Sequence, residues 1–264
     1  MDLQLTGKLA LVTGSTAGIG LAIASRLAAE GATVIVNGRT KERVDTALRQ
    51  IREARPGAKL EGLVSDLASA EGAKETIQRF PEVQILVNNL GVYGPKPFEE
   101  ITDADWLSII ETNFLSGVRL SRHYLPRMKA ANWGRVLFIA SESAVNIPVE
   151  MIHYGVTKTM QVALARGLAD SCIGTAVTVN SVLAGPTRSE GVETFIADMA
   201  KSRGMTPKEV EADFFKTVRP ASLLQRFEEP DEIATITTFL ASPLASGTNG
   251  AAIRVEGGVV RTIV

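Results

Sequence analysis

Short runs of almost continuously apolar residues alternate with longer segments of helical pattern along the whole chain, and this alternation limits the possible folds more than any other feature. The strand-like runs lie at 8–13, 33–37, 60–65, 83–89, 135–141 and 175–183, and a last one lies within 251–258. Strands that are apolar on both faces are typical of a parallel sheet that helices cover on both sides. No internal repeat or low-complexity linker divides the chain. We therefore predict a single α/β domain over residues 1–264, built on a doubly wound parallel sheet.

Helical patterns fill the intervals between these strands. Helices are predicted from the turn after the first strand to about Glu30, from about Thr40 to Ala54, after Asp66, from near Thr102 to about Ala130, from the segment HYGVTK to Gly174, and over about 230–241. Thr102 and Asp105 have the spacing of a capping box, and Gly174 suits the left-handed conformation that often ends a helix. A polar segment of mixed pattern, 187–218, stands outside the alternation.

Composition excludes several classes of function. The 28 basic and 29 acidic residues nearly cancel, so the chain has no broad positive surface for nucleic acid or for an anionic membrane. One cysteine cannot form an intramolecular disulfide or a C-x-x-C motif, and two histidines cannot form a histidine-rich metal site. The sequence shows neither a basic leader nor an apolar run long enough to span a membrane. We therefore expect no metal, no nucleic-acid or membrane partner, and a soluble protein of the cytoplasm.

The stretch TGSTAGIG, at 13–20, lies where the first strand turns into the first helix. Gly14, Gly18 and Gly20 have the spacing G-x3-G-x-G. Glycines in this position allow a tight turn and a close approach of the backbone to a pyrophosphate, which the free N–H groups and the positive dipole end of the helix attract. A glycine-rich turn without a ligand is the alternative, but the placement between a strand and a helix favours a nucleotide site.

The stretch HYGVTK, at 153–158, places Tyr154 and Lys158 four residues apart, so the two side chains share one face of a helix. Ser141 ends the strand at 135–141, at the edge of a parallel sheet where ligands bind. Asn113 lies within the long helix, where a buried amide needs hydrogen-bond partners. Each residue alone fits an ordinary structural role, but together with the glycine-rich turn they favour a catalytic site.

Together these residues resemble the active site of the short-chain dehydrogenase/reductase family, which implies the transfer of a hydride to a carbonyl group, and the alkoxide that forms must receive a proton. A free tyrosine has a pKa of about 10 and holds its proton at neutral pH. An adjacent ammonium group favours the phenolate, so we expect Lys158 to lower the pKa of Tyr154. Tyr154 would then act as the general acid in reduction and as the general base in oxidation. Ser141 would hydrogen-bond the substrate oxygen.

In order and spacing, Asn113, Ser141, Tyr154 and Lys158 resemble the catalytic tetrad of the short-chain dehydrogenase/reductase family, whose Rossmann-type fold fits the predicted sheet. The resemblance covers nearly the whole chain. Further family motifs are matched by TGSTAGIG at 13–20, Asp-Leu at 66–67, NNLG at 88–91, AGPT at 184–187 and EGG at 256–258. The resemblance also implies that Lys158 holds the nicotinamide ribose and that Asn113 holds a water molecule that relays protons.

The same motifs imply a set of cofactor contacts. They are Gly14, Ser15, Thr16, Gly18, Ile19, Gly20, Asn37, Gly38, Arg39, Asp66, Leu67, Asn89, Leu90, Gly91, Tyr154, Lys158, Pro186 and Thr187. Three residues depart from the family pattern: Leu90 replaces alanine, Ala184 replaces proline and Glu256 replaces aspartate. Leu90 adds bulk beside the cofactor, and Ala184 removes a constraint from the loop that carries Thr187.

The end of the second strand bears on the choice between NAD and NADP. In the family an acidic residue there holds the ribose 2′-hydroxyl of NAD, whereas this chain has Gly38 followed by Arg39 in the stretch VNGR. A guanidinium group can pair with the 2′-phosphate of NADP, which a carboxylate would repel. We therefore predict NADP as the cofactor, with NAD less favoured. Many NADP-dependent relatives carry a second basic residue where this chain has Ala17.

The predicted protein is an oxidoreductase that transfers a hydride between NADP(H) and a small-molecule carbonyl or alcohol. One alternative is a catalytically silent, nucleotide-binding regulatory protein of the same fold, which would have no need of Tyr154. Another is an enoyl reductase, although that group usually spaces its tyrosine and lysine more widely. The resemblance implies a homodimer or homotetramer built on the helix from Thr102 and on the helix that carries Tyr154. The sequence leaves 3-oxoacyl groups, sugars, steroids and small ketones open as substrates.

Side chains around these motifs have narrower predicted roles. Candidates for the substrate pocket are Tyr93, Glu142, Val145, Pro148 and Met151. His153 is assigned to packing or to the pocket rim, Cys172 to the core, and Ser143 is a rival to Ser141 if the strand continues. Family members carry a substrate lid at about 187–218. Lid formation and simple helix packing are both open for Phe195, Met199, Met205, Phe214 and Phe215.

Overall fold

The computed structural model describes residues 1–263, except for the side chain of Phe195. The strands are β1 Leu9–Val12, β2 Thr33–Gly38, β3 Leu60–Val64, β4 Ile85–Asn88, β5 Gly134–Ser141, β6 Val177–Ala184 and β7 Ala252–Val255. They form one parallel sheet in the order β3-β2-β1-β4-β5-β6-β7. The predicted doubly wound α/β fold is therefore confirmed.

The helices connect these strands. They are α1 Gly18–Ala29, α2 Lys41–Ala54, α3 Ala70–Arg79, α4 Asp103–Ile110, α5 Ser116–Ala130, α6 Ile152–Asp170, α7 Glu190–Arg203, α8 Pro207–Thr217 and α9 Pro230–Leu240. None of the helices within residues 1–263 is both long enough and apolar enough to cross a membrane.

Alternate residues of each strand pack on opposite faces of the sheet. In β1, Ala10 and Val12 join the cluster that α1, α2 and α9 cover, whereas Leu11 joins the cluster that α5 and α6 cover. In β2, Val34 and Ile35 divide in the same way. Burial on both faces explains why the strands are apolar throughout rather than at every second position.

The order of the strands reverses at the centre of the sheet. The chain winds outward from β1 through β2 to β3, then crosses back to β4 and winds the other way to β7. The loops that follow β1 and β4 therefore leave their strands in opposite directions. Such a reversal opens a crevice at the carboxyl ends of the two central strands, and ligands of doubly wound sheets bind there.

The helix predicted from Thr102 to Ala130 has the predicted ends but is not a uniform α-helix. The capping box of Thr102 and Asp105 is present at its start. A π-helical turn, Glu111–Leu115, separates α4 from α5. Such turns insert one extra residue into the helix and occur often at functional sites. Asn113 lies inside this turn, and its side chain is buried.

The end predicted for the helix of Tyr154 is wrong by four residues. The helix ends at Asp170, and a turn follows before Gly174, which has the left-handed φ of 80°. The hydroxyl of Ser171 donates to the carbonyl of Leu168 at 2.7 Å, and Lys129 donates to the carbonyl of Ser171 at 2.6 Å. Both bonds occupy carbonyls near the helix end, and the helix stops there because serine side chains compete with the backbone in this way.

The segment 187–218 contains α7 and α8. Ser189 caps α7, Thr206 and Glu209 form a capping box at the start of α8, and Gly204 ends α7 in the left-handed conformation. The two helices share a small core of their own, to which Ile196, Ala200, Val210, Phe215 and Phe227 belong, with Met199, Met205 and Phe214 packed against it. Four of the five apolar residues noted in this segment thus pack between helices, and the side chain of the fifth, Phe195, lies outside the described part.

Candidate active site

The glycine-rich turn after β1 packs directly against the end of β4. Gly14 and Gly18 have left-handed φ angles of 60° and 53°. A Cβ atom on Gly20 would lie 2.4 Å from the carbonyl oxygen of Gly14 and 2.5 Å from Nδ2 of Asn89. No side chain larger than hydrogen fits between these atoms, so Gly20 allows the turn to close on β4.

Side-chain hydrogen bonds hold these two strand ends together. The Thr13 hydroxyl oxygen accepts from the backbone N–H groups of Asn89 and Leu90, each at 2.9 Å. Nδ2 of Asn89 donates to the carbonyls of Thr13 at 2.9 Å and Gly14 at 3.0 Å. The loops that border the crevice are thereby fixed in the absence of any ligand.

Helix α1 begins in this turn without a side-chain cap and without an acidic residue in its first turn. By contrast, α2, α3, α4, α7 and α8 begin at Thr40, Ser69, Thr102, Ser189 and Thr206, whose side chains accept from the helix backbone. The first N–H groups of α1 and the positive end of its dipole are therefore available for an anion. Together with the close-packed glycines, this arrangement fits the pyrophosphate of a dinucleotide.

The side chains of Asn37 and Ser15 hold the glycine-rich turn in place through hydrogen bonds. Oδ1 of Asn37 accepts from the N–H of Gly14 at 3.0 Å, and its Nδ2 donates to the carbonyls of Leu63 at 3.3 Å and Ser65 at 3.1 Å. The hydroxyl of Ser15 donates to the carbonyl of Val12 at 2.7 Å and accepts from the N–H of Asn37 at 2.9 Å. Both side chains are buried and engaged within the protein, so they position the turn.

Two arginines border the outer end of this crevice. Arg39 is exposed, and no residue of the described chain pairs with its guanidinium group. Arg43, which the sequence analysis did not single out, pairs with Glu190 of α7 at 2.9 Å. Arg43 and Glu190 line a cleft of about 630 Å³. The rest of its lining is formed by Thr16, Ala17, Gly18, Leu21, Glu42, Thr46 and Gln50. The signal in the sequence was a second basic residue four positions after Arg39, on the first turn of a helix.

The pair after β3 divides between surface and core. Asp66 is exposed, and its Oδ1 accepts from the N–H of Ala68 at 3.1 Å. Leu67 is buried in the core. The exposed carboxylate of Asp66 thus has no cationic partner among the described residues, whereas Leu67 anchors the loop.

Ser141 and Tyr154 meet at the carboxyl end of β5. The Ser141 hydroxyl lies near enough to the Tyr154 hydroxyl to lower the pKa of Tyr154. Oγ of Ser141 accepts from the N–H of Ser143 at 3.1 Å. This bond caps a 3₁₀ turn, Glu142–Ala144. Because the strand ends at Ser141, Ser143 does not continue its face, and the structure favours Ser141 over its rival.

Lys158 lies buried behind Tyr154. Its Nζ donates to the carbonyl of Ile139 at 2.8 Å and to Oε1 of Gln161 at 3.2 Å, and it lies 5.7 Å from the centre of the Tyr154 ring. Burial lowers the pKa of Lys158 to about 8. A lysine pKa this close to neutrality is a property of buried groups at functional sites.

The expectation that Lys158 lowers the pKa of Tyr154 is wrong for the protein alone. Burial raises the pKa of Tyr154 to about 12, and the nearby hydroxyl of Ser141 offsets only part of this effect. The nearby carboxylate of Glu142 raises the pKa further. Sequence spacing placed the ammonium correctly but could not reveal that the dry surroundings favour the neutral form of both groups.

Asn113 is held by the loop after β4 and by helix α6. Its Oδ1 accepts from the N–H of Val92 at 2.7 Å, and its Nδ2 donates to the carbonyl of Val92 at 2.9 Å and to the hydroxyl of Thr157 at 3.1 Å. Nε2 of Gln161 donates to the backbone carbonyl of Asn113 at 2.5 Å. The amide is therefore fully satisfied within the protein.

Gln161 and Thr157 are the residues of this group that sequence reasoning missed. Gln161 joins Asn113 to Lys158, since its amide bonds both. Thr157 joins Asn113 to Tyr154, because its hydroxyl donates to the Tyr154 carbonyl at 2.8 Å. Thr157 lies three residues after Tyr154 and Gln161 three residues after Lys158 on the same helix, and this spacing was the available signal.

The loop after β4 comes closest to Lys158 at Gly91. A Cβ on Gly91 would lie 3.3 Å from Nζ of Lys158 and 3.7 Å from Oδ1 of Asn113. Leu90, one residue earlier, fills the space next to Gly14. A Cβ added to Gly14 would lie 3.3 Å from Cδ1 of Leu90. The bulk that Leu90 adds is thus accommodated by the glycine-rich turn.

The buried Glu228 holds the loop after β6, and the buried Glu256 holds the segment after β7. The N–H of Gly185 donates to Oε2 of Glu228 at 3.1 Å, and Thr187 donates to the carbonyl of Gly185 at 2.9 Å. Glu256 accepts from Arg254 at 2.8 Å and from the N–H of Val260 at 3.0 Å. Pro186 accepts from the N–H of Glu228 at 2.9 Å, so this loop has support despite the loss of proline at position 184.

The segment that contains α7 and α8 contacts the site at two points. The ring of Tyr93 packs edge-on against that of Tyr154, with centroids 6.0 Å apart, and a Cβ on Gly191 of α7 would lie 3.1 Å from the Tyr93 hydroxyl. After α8, Arg219 donates to Glu142 and to Glu150, each at 3.1 Å. Tyr93 and Glu142 thus lie beside Tyr154, as predicted for pocket residues.

The remaining candidates have simpler surroundings. Pro148 is buried, Met151 is half-buried and Val145 is exposed beside the 3₁₀ turn after β5. His153 is buried and packs edge-on against Trp106 at 6.0 Å, which confirms its packing role. Cys172 is a buried core residue, as expected.

The glycine-rich turn, the buried Lys158 and the pair of Ser141 and Tyr154 lie at one edge of the sheet. A family model described as short chain dehydrogenase matches residues 8–200. The uncharacterized oxidoreductase YvaG of Bacillus subtilis is 49% identical over 263 residues, which cover 100% of both chains. The 3-oxoacyl-acyl-carrier-protein reductase FabG of Aquifex aeolicus is 32% identical, covering 98% of this chain and 100% of FabG.

Among solved structures, L-sorbose reductase from Gluconobacter frateurii, complexed with NADPH and L-sorbose, matches with a TM-score of 0.91 at 30% identity, covering 100% of both chains. The chain therefore belongs to the short-chain dehydrogenase/reductase family. It is an oxidoreductase that acts on a carbonyl/alcohol pair of a small molecule with a nicotinamide cofactor.

Replacement of Gly20 by alanine tests the glycine cradle. The added methyl group has to push the Gly14 carbonyl or Asn89 aside, and overpacking of this kind costs about 1–3 kcal/mol. We expect NADPH to bind the Gly20→Ala variant about tenfold more weakly, as measured by the fluorescence of the bound nucleotide. Gly167→Ala, at a helical glycine with nothing within 4 Å of the added Cβ, is the control and is expected to bind normally. Normal binding by both variants would contradict the cradle.

The pH dependence of stability tests the buried state of Lys158. Its pKa lies below the unfolded value, so between pH 8 and about 10.4 the unfolded chain binds more protons than the folded one, and the free energy of unfolding rises with pH. Below pH 8 the full penalty, about 3 kcal/mol, is present. We expect Lys158→Met to gain stability over the wild type at pH 7 and to lose most of that gain by pH 10.

Urea unfolding of both proteins across this pH range measures the difference. Lys74→Met, which removes an exposed lysine, is the matched control and should follow the wild type at every pH. A constant difference between Lys158→Met and the wild type would show that Lys158 has an ordinary pKa in the folded protein.

Proposed function

We propose that this protein transfers a hydride between NADP(H) and a carbonyl or alcohol, with Tyr154 as the general acid and base. The juxtaposition of Ser141 and Tyr154 at the end of β5, with Lys158 buried 5.7 Å from the Tyr154 ring centre, carries the proposal. When bound, the nicotinamide supplies or accepts the hydride. Ser141 and Tyr154 would both hold the substrate oxygen, which places the proton of Tyr154 where the alkoxide forms.

The raised pKa of Tyr154 fits the reductive direction. With a pKa of about 12, the side chain holds its proton at neutral pH and can donate it to a forming alkoxide. Lys158 would pass on the replacement proton from a water molecule held by Asn113, and Gln161 would position Lys158 through its bonds to Lys158 and to the Asn113 carbonyl. In the oxidative direction Tyr154 has to lose its proton, which a cationic group bound beside it would favour.

We propose that the cofactor is NADP and that the predicted contact residues hold it. Gly14, Thr16, Gly18, Ile19 and Gly20 would surround the pyrophosphate, and Gly38 and Arg39 the adenosine ribose. The unpaired, exposed guanidinium of Arg39 supports the phosphorylated cofactor, since β2 ends without a carboxylate. The solved L-sorbose reductase contains NADPH, which agrees with this choice.

We also propose that Asp66, Asn89, Leu90, Gly91, Pro186 and Thr187 contact the adenine and nicotinamide ends. Helices α7 and α8 would form a substrate lid, a role that the contacts of Tyr93 and Arg219 support. A homodimer or homotetramer built on α4, α5 and α6 is proposed from the family resemblance, and the exposed Leu107 of α4 is consistent with such a contact. A single buried cysteine agrees with a cytoplasmic location.

Replacement of Tyr154 by phenylalanine tests the role of the hydroxyl. The ring and its packing against Tyr93 are kept, while the proton donor is lost, so kcat/KM should fall by about 10²–10⁴-fold. The assay follows the loss of NADPH absorbance with a panel of ketones, keto-sugars and 3-oxoacyl thioesters. NADPH binding should be unchanged. Undiminished turnover would exclude Tyr154 as the acid, and wild-type silence across the panel with intact NADPH binding would favour a regulatory protein.

Replacement of Arg39 by alanine tests the cofactor preference. Loss of a charge-assisted pair with the 2′-phosphate should lower the ratio of kcat/KM for NADPH over NADH by about 10–100-fold. The exposed Arg52, further along α2, provides the control, and Arg52→Ala should leave the ratio unchanged. An unchanged ratio in Arg39→Ala would refute the assignment of this residue.

A further inference from the structure

The loop after β6, residues 184–187, is held by a buried glutamate, Glu228, of which only 3% of the surface is exposed. Oε2 of Glu228 accepts from the N–H of Gly185 at 3.1 Å. The backbone N–H of Glu228 donates to the carbonyl of Pro186 at 2.9 Å, and its carbonyl accepts from the N–H of Arg188 at 2.8 Å. One residue therefore bonds this loop through its side chain and through both of its backbone groups.

Close packing makes the loop sensitive to the position of this carboxyl group. A Cβ on Gly185 would lie 2.6 Å from Oε2 of Glu228 and 2.6 Å from Cα of Glu256, so Gly185 fills a slot between the two glutamates. The carbonyl of Gly185 accepts from the hydroxyl of Thr187 at 2.9 Å. Gly185 thus joins the carboxyl group of Glu228 to the side chain of Thr187, a proposed cofactor contact.

Glu228 has no bonded cation to compensate an ionised carboxylate, because no ion pair within residues 1–263 includes it. The guanidinium group of Arg226 lies within electrostatic range, but it bonds both carboxylate oxygens of Glu232 in α9, at 2.8 and 3.0 Å. Glu256, after β7, accepts from its own arginine, Arg254, at 2.8 Å. Glu228 therefore lies between two further acidic residues, each of which already has a cation.

Arg188, next to the loop, is engaged in the same way. Its backbone N–H bonds the carbonyl of Glu228, but its guanidinium group donates to Glu211 and to Glu229, each at 3.1 Å. The three arginines around Glu228 thus have carboxylate partners of their own. A buried carboxylate without a bonded counter-ion is costly, so the buried position favours the neutral form of Glu228.

The titration of Glu228 agrees with this geometry. Burial raises the pKa of Glu228 from its ordinary value of 4.5 to about 7, the bond from Gly185 opposes this effect, and the charges of Glu232 and Glu256 add to it. Above neutral pH the side chain has to keep a charge in the interior or move toward water. Movement toward water breaks its bond to Gly185.

We propose that Glu228 is a positioning residue for the cofactor: in its neutral form it holds residues 184–187 against the nicotinamide end, and its ionisation releases this loop, so that affinity for the cofactor falls as the pH rises. This inference rests on the proposed function, because Pro186 and Thr187 are taken from there as nicotinamide contacts.

The sign of the effect follows from the protons bound by the two positions of the loop. The held loop keeps the proton of Glu228 up to about pH 7, whereas a solvated Glu228 loses it near pH 4.5. The held loop is therefore favoured fully below pH 4.5, loses this advantage as the pH rises to about 7, and changes little above that value.

Glu228→Gln tests this inference, because glutamine keeps the shape and an oxygen that can accept from Gly185 but is neutral at every pH. Dissociation constants of oxidised NADP are measured by titration calorimetry from pH 5 to pH 9. The two proteins should bind NADP equally within about threefold at pH 5, and the wild type should bind about tenfold more weakly than the variant by pH 7, with a constant ratio above it. Titration of the cofactor itself cancels in this ratio.

Two controls separate the loop from general electrostatics. Glu229→Gln removes the same charge from the next residue, whose side chain is 57% exposed, and should follow the wild type at every pH. Adenosine 2′,5′-bisphosphate lacks the nicotinamide end and does not need residues 184–187. Its affinity for the wild type and for Glu228→Gln should therefore be the same at every pH.

The outcomes distinguish this inference from the proposed reaction. The expected ratio for NADP supports the inference even if the wild type shows no turnover, which would refute only hydride transfer. A ratio that stays constant from pH 5 to pH 9 would overturn the inference alone, as would the same change with adenosine 2′,5′-bisphosphate or in Glu229→Gln. Failure of the wild type to bind NADP at any pH would refute the proposed cofactor and this inference with it.

Discussion

The contact between the glycine-rich turn and the end of β4 is the constraint on which the rest of the site depends. Gly20 leaves no room for a Cβ beside Asn89, and Asn89 in turn bonds the carbonyls of Thr13 and Gly14. These contacts join the two central strands at the point where the sheet reverses its order. They fix the start of α1 on one side and the loop toward Lys158 on the other. The cradle and the catalytic residues are therefore parts of one rigid edge of the sheet.

Much of this could be predicted from the sequence, because the features concerned are local. The sheet, its strands and the face shared by Tyr154 and Lys158 follow from periodicity and spacing. The π-helical turn around Asn113 could not be predicted, since it depends on tertiary bonds to Val92 and Gln161 rather than on local pattern. The end of α6 could not be predicted for a similar reason, because the side chains of Ser171 and Lys129 donate hydrogen bonds to carbonyl groups there.

The electrostatics of the site were the least predictable part. The pKa of a tyrosine beside a lysine depends on how much water each retains, and burial is set by neighbours far away in the sequence. Sequence spacing placed Lys158 near Tyr154, but a dry pocket disfavours both charged forms at once. Arg219, 77 residues from Glu142, is likewise invisible to any local pattern.

Two of the charged side chains buried in this molecule, Lys158 and Glu142, lie next to the proposed reacting groups. Lys158 has no carboxylate partner among its described hydrogen bonds, only a carbonyl and an amide. Glu142 pairs with Arg219 through its Oε1. Arg219 joins the end of α8 to the residue that follows Ser141, so any movement of α8 must either carry this segment along or break a buried ion pair. The positions of α8 and of the end of β5 are thus coupled through the same two side chains.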